Sequence, residues 1–414
     1  MRSTFVMTTA VAALLCASGG NMAFAGKTTK ETALYSFAGG NDGGFPQGGL
    51  VADAKGRMFG VTTSDGADHS GVIFEVDKRA GAWVETPLYA FTGGADGGDP
   101  QAGLMIDSAG NLYGTTYMGG SAQAPNGYGT VFELSPGKKK TWNFKVLWTF
   151  SDGDDGALPS GRLAIDASGN VYGTTTEGGT GVVGTVFELS PPANGGNSWT
   201  EAVLYNFTGN NDGGEPMGNV LLGSDGNIYG TTAGYGQDNN GVIYVLTPDN
   251  GGWTQSVLHA FQGGNDGAAP RDGLMQDSSG TLYGTTAGFG GSYGSVFSLD
   301  TDGSNYAVLY DIPSCQDCYS GNGPWQTVSM DSSGALYGAT YADGENNNGE
   351  VFKLTPGQNN QWTPSVLYAF QGGAASNYPY STVLIGKNGR LYGTSYGSAG
   401  EYGFYPGNVW EIKQ

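Results

Sequence analysis

One phrase recurs seven times and decides what this chain is able to fold into. Leu112-Tyr113-Gly114-Thr115-Thr116 returns with small changes at Met58–Thr62, Val171–Thr175, Ile228–Thr232, Leu282–Thr286, Leu336–Thr340 and Leu391–Ser395. Its aromatic residue falls at 59, 113, 172, 229, 283, 337 and 392, so the period stays between 54 and 59 residues. A glycine-rich unit of that size buries too little apolar surface to stand alone and must share a core with its neighbours. Glycine supplies 76 of the 414 residues, which by itself would suggest an unfolded linker. The 24 Tyr, 18 Phe and 8 Trp exclude that reading, because disordered chains are poor in aromatic residues.

Each copy carries four strand-like runs. In the second copy, Leu104–Asp107 leads through Ser108-Ala109-Gly110-Asn111 into Leu112–Thr116, followed by Gly129–Leu134 and Trp142–Phe150. The Asp-x-x-Gly turn is hairpin chemistry, since glycine takes the positive φ such turns require. Gly114, inside a strand, predicts close approach of a neighbouring backbone. No helical period stands out beyond the first residues. The predicted fold is all-β: a seven-bladed β-propeller of four-stranded blades. Ala33–Phe37 matches a fourth strand and Asn408–Ile412 a third, so the termini should complete one blade in a 1+3 arrangement. An open solenoid is the alternative, but capping ends are not visible in the sequence.

The chain starts with Arg2, an apolar stretch around Val11–Leu15 and Ala23-Phe24-Ala25, the pattern of an export signal spanning residues 1–25. The expected mature protein is residues 26–414, secreted or periplasmic, with no transmembrane segment and a monomeric state. Losing Arg2 leaves 16 basic and 37 acidic residues, a net charge of −21. Nucleic acid and anionic membranes are therefore poor partners, because binding them relies on clustered Lys and Arg.

Leu112–Thr116, the following Gly129–Leu134 phrase and Val-Leu-Tyr-x-Phe resemble the bacterial GloVer (Gloeo/Verruco) tandem repeats across residues 33–414. The resemblance implies an exported or surface-anchored bacterial protein and implies no activity. A C-terminal anchor is not apparent, which predicts free secretion or periplasmic residence.

The loops leading into the first strands repeat an Asp-Gly pair, placing Asp42, Asp96, Asp155, Asp212 and Asp266 on one predicted rim. Two readings stay open. The carboxylates could bind a sugar or a cation, with calcium the candidate ion and Asp152, Asp154 and Asp155 the densest group. Alternatively each aspartate caps its own turn. The sixth unit instead carries Cys315 and Cys318, the only cysteines left after signal removal, and a small disulfide is expected. Trp83, Trp142, Trp199, Trp253 and Trp362 each precede the fourth-strand leucine by five residues, which reads as scaffold packing. Asp99, Glu177 and Glu215 are acidic residues that other units lack, with Arg162 and Arg271 as cationic partners near first strands. Gly393-Thr394-Ser395-Tyr396-Gly397 matches a nucleophile-elbow pattern but lacks its strand-to-helix setting. Two function classes follow: a binding or adhesion module for an extracellular carbohydrate or surface protein, and a polysaccharide-active enzyme using acidic residues in the propeller funnel.

Overall fold

A computed structural model describes residues 29–121, 126–193, 196, 198–288, 293–313, 323–342, 344, 347–358, 361–372, 377–400 and 403–414. Seven four-stranded antiparallel sheets form a ring, a seven-bladed β-propeller, and no α-helix occurs among the described residues. Blade 2 serves as the pattern: Met105–Ile106 nearest the axis, then Leu112–Thr116, Thr130–Pro136 and Trp142–Thr149 outermost. The innermost strand of every blade is only two ladder residues long, whereas outer strands reach nine. Blade 7 is composite. Leu384–Ile385, Leu391–Ser395 and Asn408–Lys413 come from the C-terminal end, and Lys30–Ser36 supplies the fourth strand. Ala33 lies opposite Trp410, Tyr35 opposite Val409 and Ser36 opposite Asn408, so the predicted 1+3 closure is present. That pairing leaves no blade with an open sheet edge at the joint.

The repeated phrase explains itself once the blades are stacked. A Cβ added to Gly114 would lie 2.6 Å from Phe132 Cζ, on the third strand of the same blade. The same hole sits under Phe74, Phe187, Tyr244, Phe297, Phe352 and Trp410. The expected close neighbour of Gly114 is therefore an aromatic ring rather than a backbone. Sheets stacked face to face lie about 10 Å apart, too far for backbone contact, and the freed volume goes to a side chain. Each of these rings meets an aromatic ring from the preceding blade. Phe91 stands 5.3 Å from Phe132, Phe150 5.2 Å from Phe187, Phe207 5.1 Å from Tyr244 and Phe261 5.5 Å from Phe297. Tyr310–Phe352 and Phe370–Trp410 continue the series, and Phe37–Phe74 at 5.1 Å closes it. Most are edge-on or tilted, the arrangements favoured by the ring quadrupole.

Hydrogen bonds fix the same units. The last threonine of the phrase accepts from the first backbone N–H of the third strand, as in Thr130 N to Thr116 Oγ1 at 3.1 Å. The tyrosine of the phrase donates to the hairpin aspartate, as in Tyr283 to Asp277 at 3.1 Å. Between blades, Gly129 (φ +91°) leaves room for Pro159 at the start of the next blade, and Gly407 does the same for Pro46 across the closure.

Filling one of the aromatic holes should be costly. Gly114→Ala would press on Phe132 and on Leu104 Cδ2, both fully buried, and is expected to destabilise by about 1–3 kcal/mol. Gly40→Ala, with nothing within 4 Å, should stay within about 0.5 kcal/mol in the same denaturant titration.

Candidate functional site

Lead-in loops and the loops joining second to third strands share one face of the ring. Backbone bridges Gly44–Ser64, Gly98–Met118, Ala157–Glu177 and Gly214–Gly234 tie them together. On this face each rim aspartate is engaged by its own loop. Asp42 accepts from Tyr35 Oη (2.7 Å), Ala38 N (2.8 Å) and Gly40 N (3.2 Å). Asp96 accepts from Tyr89 Oη (2.9 Å), Thr92 N (3.0 Å) and the Thr92 hydroxyl. Asp212 repeats this with Tyr205, Thr208 and Asn210 N. Asp155 takes Ser151 N and Oγ, and Asp266 takes Gln262 N and faces His259 Nε2 at 3.1 Å. Asp152 and Asp154 are exposed in the same turn as Asp155. Among the described residues no group of three or more His, Cys, Asp or Glu gathers as a metal site. Cys315 and Cys318 lie outside the described residues, as does the leader segment.

The fourth-strand tryptophans pack against the preceding blade: Trp142 on Phe59 at 5.8 Å, Trp83 on Tyr392 at 6.4 Å and Trp362 on Tyr283 at 6.2 Å. Ser395 ends a second strand and has no elbow geometry around it.

Two acids that the sequence did not single out sit in the blade joints. Glu85 and Glu201 occupy the fourth-strand position where Phe144 stacks on Tyr89 (3.9 Å) and Tyr306 on His259 (3.7 Å). Burial, with the neighbouring Asp42 adding to it, pushes the Glu85 carboxyl up to about 8. Burial and Asp155 push Glu201 up to about 7. The inner Oε1 of each has no hydrogen-bond partner.

Down the axis runs a funnel of about 650 Å³. Its mouth takes the residue after the lead-in proline of each blade: Gln47, Gln101, Ser160, Met217, Arg271, Trp325 and Tyr380. Seven blades thus supply six residue types where the scaffold repeats almost unchanged. One layer deeper the blades carry Gly49, Gly103, Asn219, Thr327 and Thr382, with Arg162 the long side chain among them. Arg271 lies over the Trp325 ring with its Cζ 4.3 Å from the centroid. Asp272 is buried beside them and accepts from Gly273 N and Thr327 N, each at 2.8 Å. Burial pushes its carboxyl up, against those hydrogen bonds and the charge of Arg162.

An arc of partly exposed rings borders the mouth over blades 6, 7 and 1. Trp325 meets Tyr341 (5.2 Å) and Tyr380 (5.1 Å), Tyr341 stacks on Tyr378 (5.1 Å), and Tyr396 joins Tyr380 to Phe45. At the position of Tyr341 and Tyr396, blades 1, 3, 4 and 5 carry Thr63, Thr176, Ala233 and Ala287. Across the mouth, Asp99, Glu177 and Glu215 surround Tyr117. Burial raises the Tyr117 hydroxyl, and all three acids raise it further. Asp99 accepts from Gln101 Nε2 at 2.9 Å, yet burial holds its carboxyl above the usual aspartate range. The singled-out acids Asp99, Glu177 and Glu215 are therefore brought together on one arc, and Arg162 and Arg271 both line the funnel.

A profile of the Gloeobacter/Verrucomicrobia repeat matches residues 17–187, 80–297 and 163–406. The chain belongs to this repeat family. No curated protein matches its sequence. Among solved structures it is similar to a Bacteroides uniformis protein provisionally named 6-phosphogluconolactonase, at 17% identity and TM-score 0.54, over 84% of this chain and 89% of that one. It is also similar to a Thermus thermophilus protein provisionally named glucose dehydrogenase, at 16% identity and TM-score 0.44, over 93% and 100% of the two chains. A Trichoderma reesei carbohydrate-active enzyme of family AA12 aligns at 12% identity and TM-score 0.43, over 96% and 100%. The first likeness concerns the fold alone.

The joint acids set a pH dependence. A carboxyl whose folded pKa is raised favours the folded state below its unfolded value and loses that contribution as pH rises through the folded value. Stability should fall between roughly pH 4.5 and pH 8 through Glu85. Glu85→Gln is expected to raise the melting temperature at pH 8 and to leave it unchanged near pH 4, measured by thermal scans across that range.

Proposed function

We propose that this repeat-family propeller is an exported saccharide-binding protein whose site is the mouth of the axial funnel. The observation that carries this is the aromatic arc, Phe45, Trp325, Tyr341, Tyr378, Tyr380 and Tyr396, built over blades 6, 7 and 1; at the matching positions of the other blades only blade 2 places a ring, Tyr117. Partly exposed rings beside polar groups suit a sugar, whose C–H faces lie on aromatic surface while its hydroxyls find hydrogen bonds. Gln47, Gln101, Ser160 and Arg271 are polar groups at the mouth of the same cavity. The reading moves recognition inward from the rim aspartates, which already accept hydrogen bonds from their own turns.

Catalysis is the second reading, and one observation favours it. Asp99 is held above its usual range by burial, as a general acid needs, with Glu177 and Glu215 on the same arc. Product analysis on oligosaccharides separates the two readings. Turnover abolished by Asp99→Asn would make the protein an enzyme, and binding without product would keep it a binding module.

Glycan-array screening followed by calorimetry tests the saccharide reading itself. Trp325→Ala and Tyr380→Ala are each expected to weaken binding at least about tenfold, ~1.4 kcal/mol, with melting temperatures near that of the parent. Calcium enters only through the rim carboxylates, where it would compete with the turn hydrogen bonds. EDTA should therefore leave binding unchanged. Loss on EDTA, restored by calcium, would return Asp42, Asp96, Asp155, Asp212 and Asp266 to the site.

A further inference from the structure

The scaffold does not account for Arg162. At its position in the repeat the other blades carry Gly49, Gly103, Asn219, Gly273, Thr327 and Thr382. First strands approach one another closely there: a Cβ on Gly103 would lie 3.0 Å from the Gly49 nitrogen. A long side chain at this layer has only the lumen to enter. Arg162 is exposed to the funnel it lines, whose walls desolvate the guanidinium and hold its pKa below the usual arginine value. No hydrogen bond or ion pair within contact range engages its guanidinium among the described residues; Asp272 acts on it only as a charge. The two oxygens of Asp272 are occupied by Gly273 N and Thr327 N, and Arg271 is held against Trp325. The charged groups lining the cavity itself are thus two guanidiniums and one buried carboxyl, a positive interior beneath a mouth that carries Asp99, Glu177 and Glu215 on one side, in a chain of net charge −20.

We infer that Arg162 anchors a single oxyanion carried by the bound sugar, the carboxylate of a uronic acid or sugar acid, with the ring against Trp325 and Tyr380. This rests on the saccharide reading above. A guanidinium presents a fork of N–H donors that matches the two oxygens of a carboxylate, and in a confined lumen such a contact is worth more than on an open surface. The cavity of about 650 Å³ has room for a short oligosaccharide. The charge of the whole protein limits the ligand from the other side. Repulsion from the acidic surface acts within about a Debye length, about 8 Å at physiological salt, so a polyanion lying across the rim meets it along its length, whereas one oxyanion inside the funnel meets Arg162 at close range. The ligand therefore carries one charge rather than many. Phosphate shares this chemistry, and separate probes distinguish the two sources.

The experiment is calorimetric titration of the whole protein with three matched probes: a disaccharide ending in glucuronate, its neutral glucose counterpart, and the glucose 6-phosphate counterpart. The glucuronate probe should bind at least about tenfold more tightly than the neutral one, a ratio that falls with added salt. Arg162→Gln should bring that ratio to one while leaving neutral binding unchanged, and Arg162→Lys should keep part of it, since charge survives and the fork does not. The exposed, unpaired setting of Arg162 predicts that neither variant alters the melting temperature. A phosphate probe that alone exceeds the neutral one overturns the carboxylate assignment. Equal binding of charged and neutral probes by the parent, or a ratio that survives Arg162→Gln, overturns the anchor while leaving the saccharide reading in place. Failure of all three probes, with no glycan retained on the array, overturns the saccharide reading and this inference with it.

Discussion

The ring is held by one contact made seven times. A third-strand aromatic ring drops into the hole left by the glycine of the repeated phrase, and there it meets an aromatic ring from the blade before it. Both members are fully buried in most joints, so each blade completes its neighbour's core rather than its own. Such joints combine large apolar area with a preferred angle, which fixes how one blade leans on the next. The angular step around the axis is set by this contact, and the width of the funnel follows from the step.

The same division of labour leaves the axis free. Innermost strands contribute only two ladder residues each, and the side chains at their mouths are not shared between blades. The residue after the lead-in proline is glutamine twice, then serine, methionine, arginine, tryptophan and tyrosine, while Pro46, Pro100, Pro159, Pro216, Pro270, Pro324 and Pro379 stay constant. Stability resides in the outer joints, and variation in the axial positions costs the fold little. The buried acids Glu85 and Glu201 depart from that economy: they place carboxyls in joints where Phe144 and Tyr306 place rings.

Much of this was legible in the sequence because repetition reports on scaffold. The seven phrases, the Asp-x-x-Gly hairpins and the match of Ala33–Phe37 to a fourth strand specify the blades and their closure. Gly114 announced a close approach, but a strand pattern alone does not say whether a backbone or the ring of Phe132 fills the space. The rim aspartates drew attention for the same reason that they cap turns: all five belong to the repeat. The funnel was harder to read, since its members are defined by differing from one another. Arg162 and Arg271 stand out near the first strands, and comparing the seven residues after the lead-in proline adds Trp325 and Tyr380. Tyr117 and Tyr341 follow the repeated phrase where blades 1, 3, 4 and 5 carry threonine or alanine, and no local pattern says that these rings border the funnel. Which fourth-strand residue faces the preceding blade, and so where Glu85 lies, is a matter of blade packing that no local pattern encodes.

The composite blade has a consequence for how the molecule comes into being. The strand Lys30–Ser36 is made before every other blade strand described, and its partner Asn408–Lys413 after them. Until Asn408–Lys413 emerges the blades form an arc with a waiting strand at one end and no ring to receive it. That strand carries Lys30, Glu31 and Thr32 on largely exposed positions and buries little besides Leu34, which suits a segment that must stay solvated and unpaired. Joining it is the longest loop closure among the described strand pairs, and it turns an open series of blades, free to fray from either end, into a closed ring.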